Sequence, residues 1–230
     1  MFERSGQLVL RSDFPDVQAR DLLSAVGFAD WALALRRLRE IGSDDTSRRA
    51  LADVLPMLLI ALSDAATPDA SLLNFERYVQ CVADRTVLLR YLASKPRAVE
   101  ILVKLFVGSQ FLTEILLRNP DYLEKLTNHK QLADIKSRSH FVSEAREAAA
   151  AATTTEGRLD ALRRYQRWEL LRIGACDAFG LFDLKSVTLQ LSLLADSLVQ
   201  TCLTMFTAEL RLEQARFSVV AMGKLGGEEL

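Results

Sequence analysis

Apolar residues recur three and four positions apart through most of the chain, the pattern of helices that bury one face. Glycine and proline are sparse, ten and five in 230 residues, and fall as punctuation between the periodic stretches. The pattern predicts a helix over 16–41 closed near Gly42, and a second over 46–66 with a kink at Pro56. Asp69 or Ser71 can cap a third helix that runs to about Ser94. Pro96 suits the first turn of the next, which continues to about Val107. Ser109 then caps QFLTEILLRN, and Pro120 opens a short helix over DYLEKLTN.

The stretch HKQLADIKSRSHFVSEAREAAAAATTTEG is the most polar of the chain. Its alanine run at 148–152 favours helix but offers little bulk to bury. TTTEG reads as a cap or a linker, so an internal boundary is expected near 128–157. Two long helices follow, over 158–179 and 184–212. In the second, Leu184, Val187, Leu191, Leu194, Leu198 and Met205 step by threes and fours, with Thr201 or Cys202 filling the gap. That heptad-like stripe predicts a helix lying along a bundle. The run FSVVAM at 217–222 is short, β-branched at its centre and closed by glycine, which predicts a buried strand. The expected fold is mainly all-α: a helical bundle over 1–214, then 215–230 as a first strand and a glycine turn opening an α/β domain.

Net charge is −1 with a pI near 6.2, so no global basic field exists to attract nucleic acid. Cys81, Cys176 and Cys202 are scattered and lack CxxC spacing, and only His129 and His140 accompany them, so no zinc site is expected. The longest apolar stretches, 51–62 and 101–108, are shorter than the ~20 residues a membrane span needs, and the N-terminus lacks an apolar signal core. A soluble, cytoplasmic protein is the expectation.

Several residues carry competing readings. Arg158, Arg163, Arg164, Arg167 and Arg172 can hold a phosphate or an acidic partner, or form a solvated face paired locally with Asp160 and Glu169. Tyr165 and Trp168 can stack on a base or edge a core. The three cysteines read as buried apolar residues, and the histidines as surface residues. The tail MGKLGG fails as a Walker loop, because Lys224 precedes the glycine pair, and fails as GxGxxG. What remains is a turn in which Gly223, Lys224, Gly226 and Gly227 face a nucleotide's phosphates.

VVAMGKLGGEEL, at 219–230, resembles the V-x-G-M-G-K-L-G-G-x-E-L signature of the glutamine synthetase adenylyltransferase/adenylyl-removing family. The block at 162–199, LRRYQRWELLRIG through LLADSLV, resembles the arginine- and leucine-rich region that precedes it. SQFLTEILLRNPDYLEKL, at 109–126, is similar to a third block of that family. The chain departs at Ala221, where glycine is common, and at Glu228, where a basic residue is frequent.

The resemblance implies a nucleotidyltransferase whose two catalytic domains, each behind a helical region, attach AMP from ATP to a tyrosine of glutamine synthetase and remove it by phosphorolysis. It implies ATP and Mg²⁺ as cofactors of the parent enzyme, and glutamine synthetase and a nitrogen-signalling PII protein as partners. The helical blocks are more similar to the region before the adenylyl-removing domain. In the family the signature continues into S-D-x-D-L, whose aspartates hold the metal. Those residues are not in this sequence. From this chain alone no catalytic residue, no metal ligand and no bound cofactor is expected, and the chain reads as an inactive N-terminal part. The rival reading is a stand-alone helical protein-interaction module.

Overall fold

Side-chain caps and left-handed turns cut the periodic stretches into more helices than their apolar spacing suggests. The computed structural model describes residues 2, 5–128, 132–210 and 219–229. The chain divides into two compact units, Met1–His129 and Lys130–Leu230.

The first unit contains α1 (Gln7–Leu10), α2 (Asp16–Val26), α3 (Trp31–Ile41), α4 (Asp45–Ser63), α5 (Pro68–Cys81), α6 (Arg85–Ser94), α7 (Pro96–Gly108), α8 (Gln110–Arg118) and α9 (Tyr122–Asn128). The expected helix over 16–41 is two helices. Gly27 turns left-handed at φ +100°, and the Asp30 carboxylate accepts from Leu33 N at 2.9 Å to start α3. The expected helix from Asp69 to Ser94 is also two, because Asp84 caps the N–H groups of Thr86 and Val87 at 2.8 and 3.0 Å. Asp69 does not cap α5; its carboxylate reaches back to Ala29 N at 3.0 Å. Ser109 caps α8 as expected, accepting from Leu112 N at 3.3 Å. Helix α4 is the core element. It contacts α1, α2, α3, α5, α6 and α7, keeps Pro56 within its length, and buries Leu51, Leu55, Leu58, Leu59 and Leu62 completely.

In the second unit, α10 (Arg138–Ala150), α11 (Thr155–Ala178) and α12 (Leu184–Glu209) pack against one another. Each starts at a side-chain cap: Ser137 on His140 N, Thr154 on Gly157 N, and Asp183 on Ser186 N. Thr154 thus supplies the cap expected within TTTEG. Phe141, Ile173 and Leu194 form one apolar cluster, with Val187, Leu191 and Leu198 against it. Ala145, Ala149 and Leu162 form another, with Cys202 and Met205. The stripe read on α12 therefore packs as expected, apart from Leu184, which is 78% exposed. Its most buried row is a neighbouring one, Gln190, Leu194, Ser197 and Thr201, and three of those four are polar. Helix α12, outside the apolar stretches at 51–62 and 101–108, is by length and composition long and apolar enough to cross a membrane.

The expected trailing strand is not there. Among the described residues there is no strand, and 219–222 is irregular; residues 217 and 218 of that expectation lie outside them. A strand needs a neighbour to take its N–H and C=O groups, and no described segment offers one. Instead of a glycine turn after a strand, Gly223–Gly226 forms one four-residue helical turn, α13.

Candidate functional site

The backbone of α13 explains two of its glycines. Gly223 adopts φ +62°, a left-handed conformation that costs other residues strain. At Gly226 the constraint is space, since a Cβ there would stand 2.7 Å from the Ala221 carbonyl oxygen. Gly227 has neither constraint; a Cβ would meet the Glu229 side chain at 3.5 Å, an ordinary contact. The chain then closes on itself. Gly227 N donates to Gly223 O at 3.2 Å, Glu228 N to Leu225 O at 3.2 Å, and Glu229 N to Lys224 O at 2.8 Å. Lys224 is exposed, as are Glu228 and Glu229, and Glu228 is itself left-handed at φ +55°. The four residues singled out from sequence thus share one exposed turn. It offers a cation and a close-packed backbone, but the Gly227 N–H is already committed internally.

No group of three histidine, cysteine or acidic side chains gathers among the described residues. Among the described residues, Glu228 and Glu229 bring negative charge to the turn without a third ligand beside them, so these residues do not make a magnesium site.

In the arginine cluster the expected local pairing with Asp160 and Glu169 is present, but at Arg172 the face is buried rather than solvated. Arg163 is an exposed partner of Asp160 at 2.6 Å, the local pairing expected. Arg172 is fully buried. Its Nε donates to Glu169 at 2.8 Å, Nη1 to the carbonyls of Leu132 and Asp134 at 3.0 and 3.3 Å, and Nη2 to Gln190 Oε1 at 3.3 Å. The other Glu169 oxygen accepts from Lys136 Nζ at 2.8 Å, and Lys136 also donates to Glu144 at 2.6 Å. Gln190 holds the Lys136 backbone at both ends, accepting from its N–H at 3.0 Å and donating to its carbonyl at 2.7 Å. Two cations thus share buried Glu169, and each side-chain nitrogen of Arg172, Lys136 and Gln190 meets at least one acceptor, the condition under which a buried charge is tolerated. Tyr165, expected as a stacking or edge residue, donates to Glu144 at 2.9 Å. Its phenol is pushed well above the ordinary range by burial and then by the charges of Glu169 and Glu144.

Sequence reasoning missed Lys136, Glu144 and Gln190; the one signal was a glutamine on the row between apolar stripe positions of α12. Trp168 is half-buried. Of the cysteines, Cys176 is buried, donates to Leu132 O at 3.2 Å and is pushed up to about 11 by burial. Cys202 is partly exposed, and Cys81 departs from expectation by being exposed at the end of α5. His140 is on the surface; His129 lies outside the described residues.

The protein-family model for glutamate-ammonia ligase adenylyltransferase matches residues 99–230, more than half the chain and through α13 to its last residue. The chain belongs to that family. Among its relatives is the bifunctional glutamine synthetase adenylyltransferase/adenylyl-removing enzyme of Thioalkalivibrio sulfidiphilus, 28% identical over 99% of this chain and 26% of the relative. The enzyme of the same name from Brucella melitensis is 29% identical over 98% of this chain and 24% of its own. That of Corynebacterium efficiens is 31% identical over 90% and 21%. The chain therefore spans about a quarter of the length of the relatives it matches. Within this adenylyltransferase family member, the matched span takes in α8, α9, the whole second unit and the exposed α13 turn.

Proposed function

We propose that this chain is the N-terminal helical part of an enzyme that adenylylates glutamine synthetase and removes the AMP again, in the service of nitrogen regulation. The observation that carries the reading is the family match running unbroken from α7 to the α13 turn. In this reading 1–214 is a helical region and 215–230 opens a nucleotidyltransferase domain. Gly223, Lys224, Gly226 and Gly227 lie on the nucleotide's phosphate side, with Lys224 as the nearest cation. When bound, ATP supplies the AMP group and magnesium neutralises charge on the transferring phosphorus. This chain's part is to position: Gly226 lets the backbone pack tightly against 221, and Lys224 stands ready to neutralise a phosphate. Glutamine synthetase and a PII-type protein are the partners of the whole enzyme, and the cytoplasm its compartment. Among the described residues no carboxylate set gathers for the metal, and in this reading the chain alone is inert in both directions.

A second reading, the helical interaction module, draws on an apolar groove of about 530 Å³ between α11 and α12, floored by Leu159, Val199, Leu203 and Phe206. A chimera separates the two. The Thioalkalivibrio sulfidiphilus enzyme with its matching segment replaced by this chain is assayed for AMP transfer to, and phosphate-dependent removal from, glutamine synthetase. The enzymatic reading expects activity within about tenfold of the parent, and loss of more than about a hundredfold for Gly226→Leu, since strain at a phosphate-facing backbone displaces the reacting groups. A folded but inactive chimera, or a Gly226→Leu chimera with full activity, overturns it.

A further inference from the structure

We propose that a cleft in the first unit binds a small organic cation carrying an apolar body, such as an aryl- or alkylamine. The cleft, about 590 Å³, is bounded by the end of α5, by α6 and by the start of α9. That volume is in the range of small-molecule sites. Its apolar wall comes from Val82, Val87, Leu88 and Leu123, with the rings of Tyr78 and Tyr91.

The hydrogen bonding decides what the cleft can still bind. Tyr78 Oη donates its proton to the Pro120 carbonyl at 2.8 Å. Thr127 Oγ1 lies 3.1 and 3.0 Å from the carbonyls of Leu123 and Glu124, where its single proton goes. It is then left to accept from Tyr91 Oη, with which it is hydrogen-bonded. Both phenol protons are therefore used to tie α9 down. Apart from the Cys81 thiol, the side-chain polar capacity left is that of Asp84, Asp121 and Glu124, which as carboxylates only accept. Asp84 uses one oxygen, Oδ1, for its cap. Asp121 and Glu124 form no ion pair among the described residues. Among the described residues no lysine or arginine lines the cleft. Neighbouring cations point elsewhere: Arg85 donates to Ser43, and the Lys125 ammonium lies over the Tyr122 ring at 5.1 Å. A rim of carboxylates beside apolar walls is complementary to a cation with an apolar body, by charge. An anion meets three like charges, and a neutral ligand of the same shape gains only apolar contact.

Cys81 also lines the cleft as a free thiol and reports its occupancy. The full chain is alkylated with iodoacetamide, and the rate at Cys81 is read by peptide mass spectrometry. The runs add phenethylammonium, 2-phenylethanol or 3-phenylpropionate in the low millimolar range. The expected result is that only the ammonium protects Cys81, by about fivefold at four times its Kd, and less so as salt rises. Cys202, in the groove of the second unit, is unprotected by any of the three. The double variant Asp121→Asn/Glu124→Gln, both at exposed positions, loses the protection while keeping its circular dichroism spectrum. Equal protection by the alcohol, protection that survives the double variant, similar protection of Cys202, or none at 10 times that range overturns the proposal.

Discussion

Helices α4 and α11 show how differently the two units are held. Helix α4 fills the first unit with leucines that are wholly buried, and the buried Glu76 of that unit sits at the edge, paired with Arg37. Helix α11 places Glu169 and Arg172 at the same depth in the second unit, where α12 adds Gln190, Ser197 and Thr201. Apolar burial is non-directional and tolerates exchange between residues of similar volume. A buried charge network is directional, and losing one partner strands the rest. The same overall helix content thus rests on two kinds of interior, and substitutions should separate them. Each unit has one tryptophan as a probe, Trp31 in the first and Trp168 in the second.

The largest effect is expected from Glu169→Ala, which leaves Lys136 and Arg172 without their shared carboxylate. The loss should be about 3–5 kcal/mol, read by urea unfolding through Trp168 in a Trp31→Phe background. A loss under about 1 kcal/mol would break the contrast, because in buried networks a removed partner is costly. Next comes Leu58→Ala in α4, a cavity worth about 3 kcal/mol, followed through Trp31 in a Trp168→Phe background. A smaller pair sharpens the comparison. Leu55→Met should cost under about 1.5 kcal/mol. Gln190→Met, similar in shape, should cost about 2–3 kcal/mol because the Lys136 backbone groups lose their partner. Equal costs would mean that direction does not matter in the second interior.

The smallest effect belongs to a charge on the surface of the first unit. The Asp44 carboxyl is held below the usual carboxylate range by the Ser47 hydroxyl, then by the Thr46 hydroxyl and the α4 backbone N–H groups. A depressed pKa means the folded state favours the ionised form. Its contribution should be present above about pH 4, the unfolded value, and lost as pH falls below it. The Tm difference between the wild-type chain and Asp44→Asn should therefore shrink on acidification from pH 6 to pH 3; a constant difference would remove the charge from the account.

Helix content, the caps at Ser109 and within TTTEG, and the packing stripe of α12 were legible because each rests on neighbours within a few residues. The breaks at Gly27 and Asp84 were not: apolar spacing continues across them, and only the backbone dihedral and cap geometry interrupt the helix. The strand at 217–222 was read from local composition, whereas a strand depends on a partner that may be anywhere in a chain. At the candidate site, the glycine spacing around Lys224 stood out in sequence, while the engagement of the Gly227 N–H did not. The buried network was hidden for the same reason as the strand, since Lys136 meets Gln190 across 54 positions.

That meeting has a consequence for which parts of the second unit can vary. Gln190 exchanges two hydrogen bonds with one residue's backbone, as the facing residue of an antiparallel ladder would. Arg172 and Cys176 do likewise for the carbonyls at 132 and 134. Much of the segment at 132–136 is thus gripped by its peptide groups, with Asp134 and Ile135 left exposed. Under drift, its side chains are free to be rewritten while the helical residues that read its backbone are not, buried Leu132 and the paired Lys136 excepted. Insertions or deletions of a single residue there should be poorly tolerated, because they move the peptide groups out of reach while substitutions leave them in place.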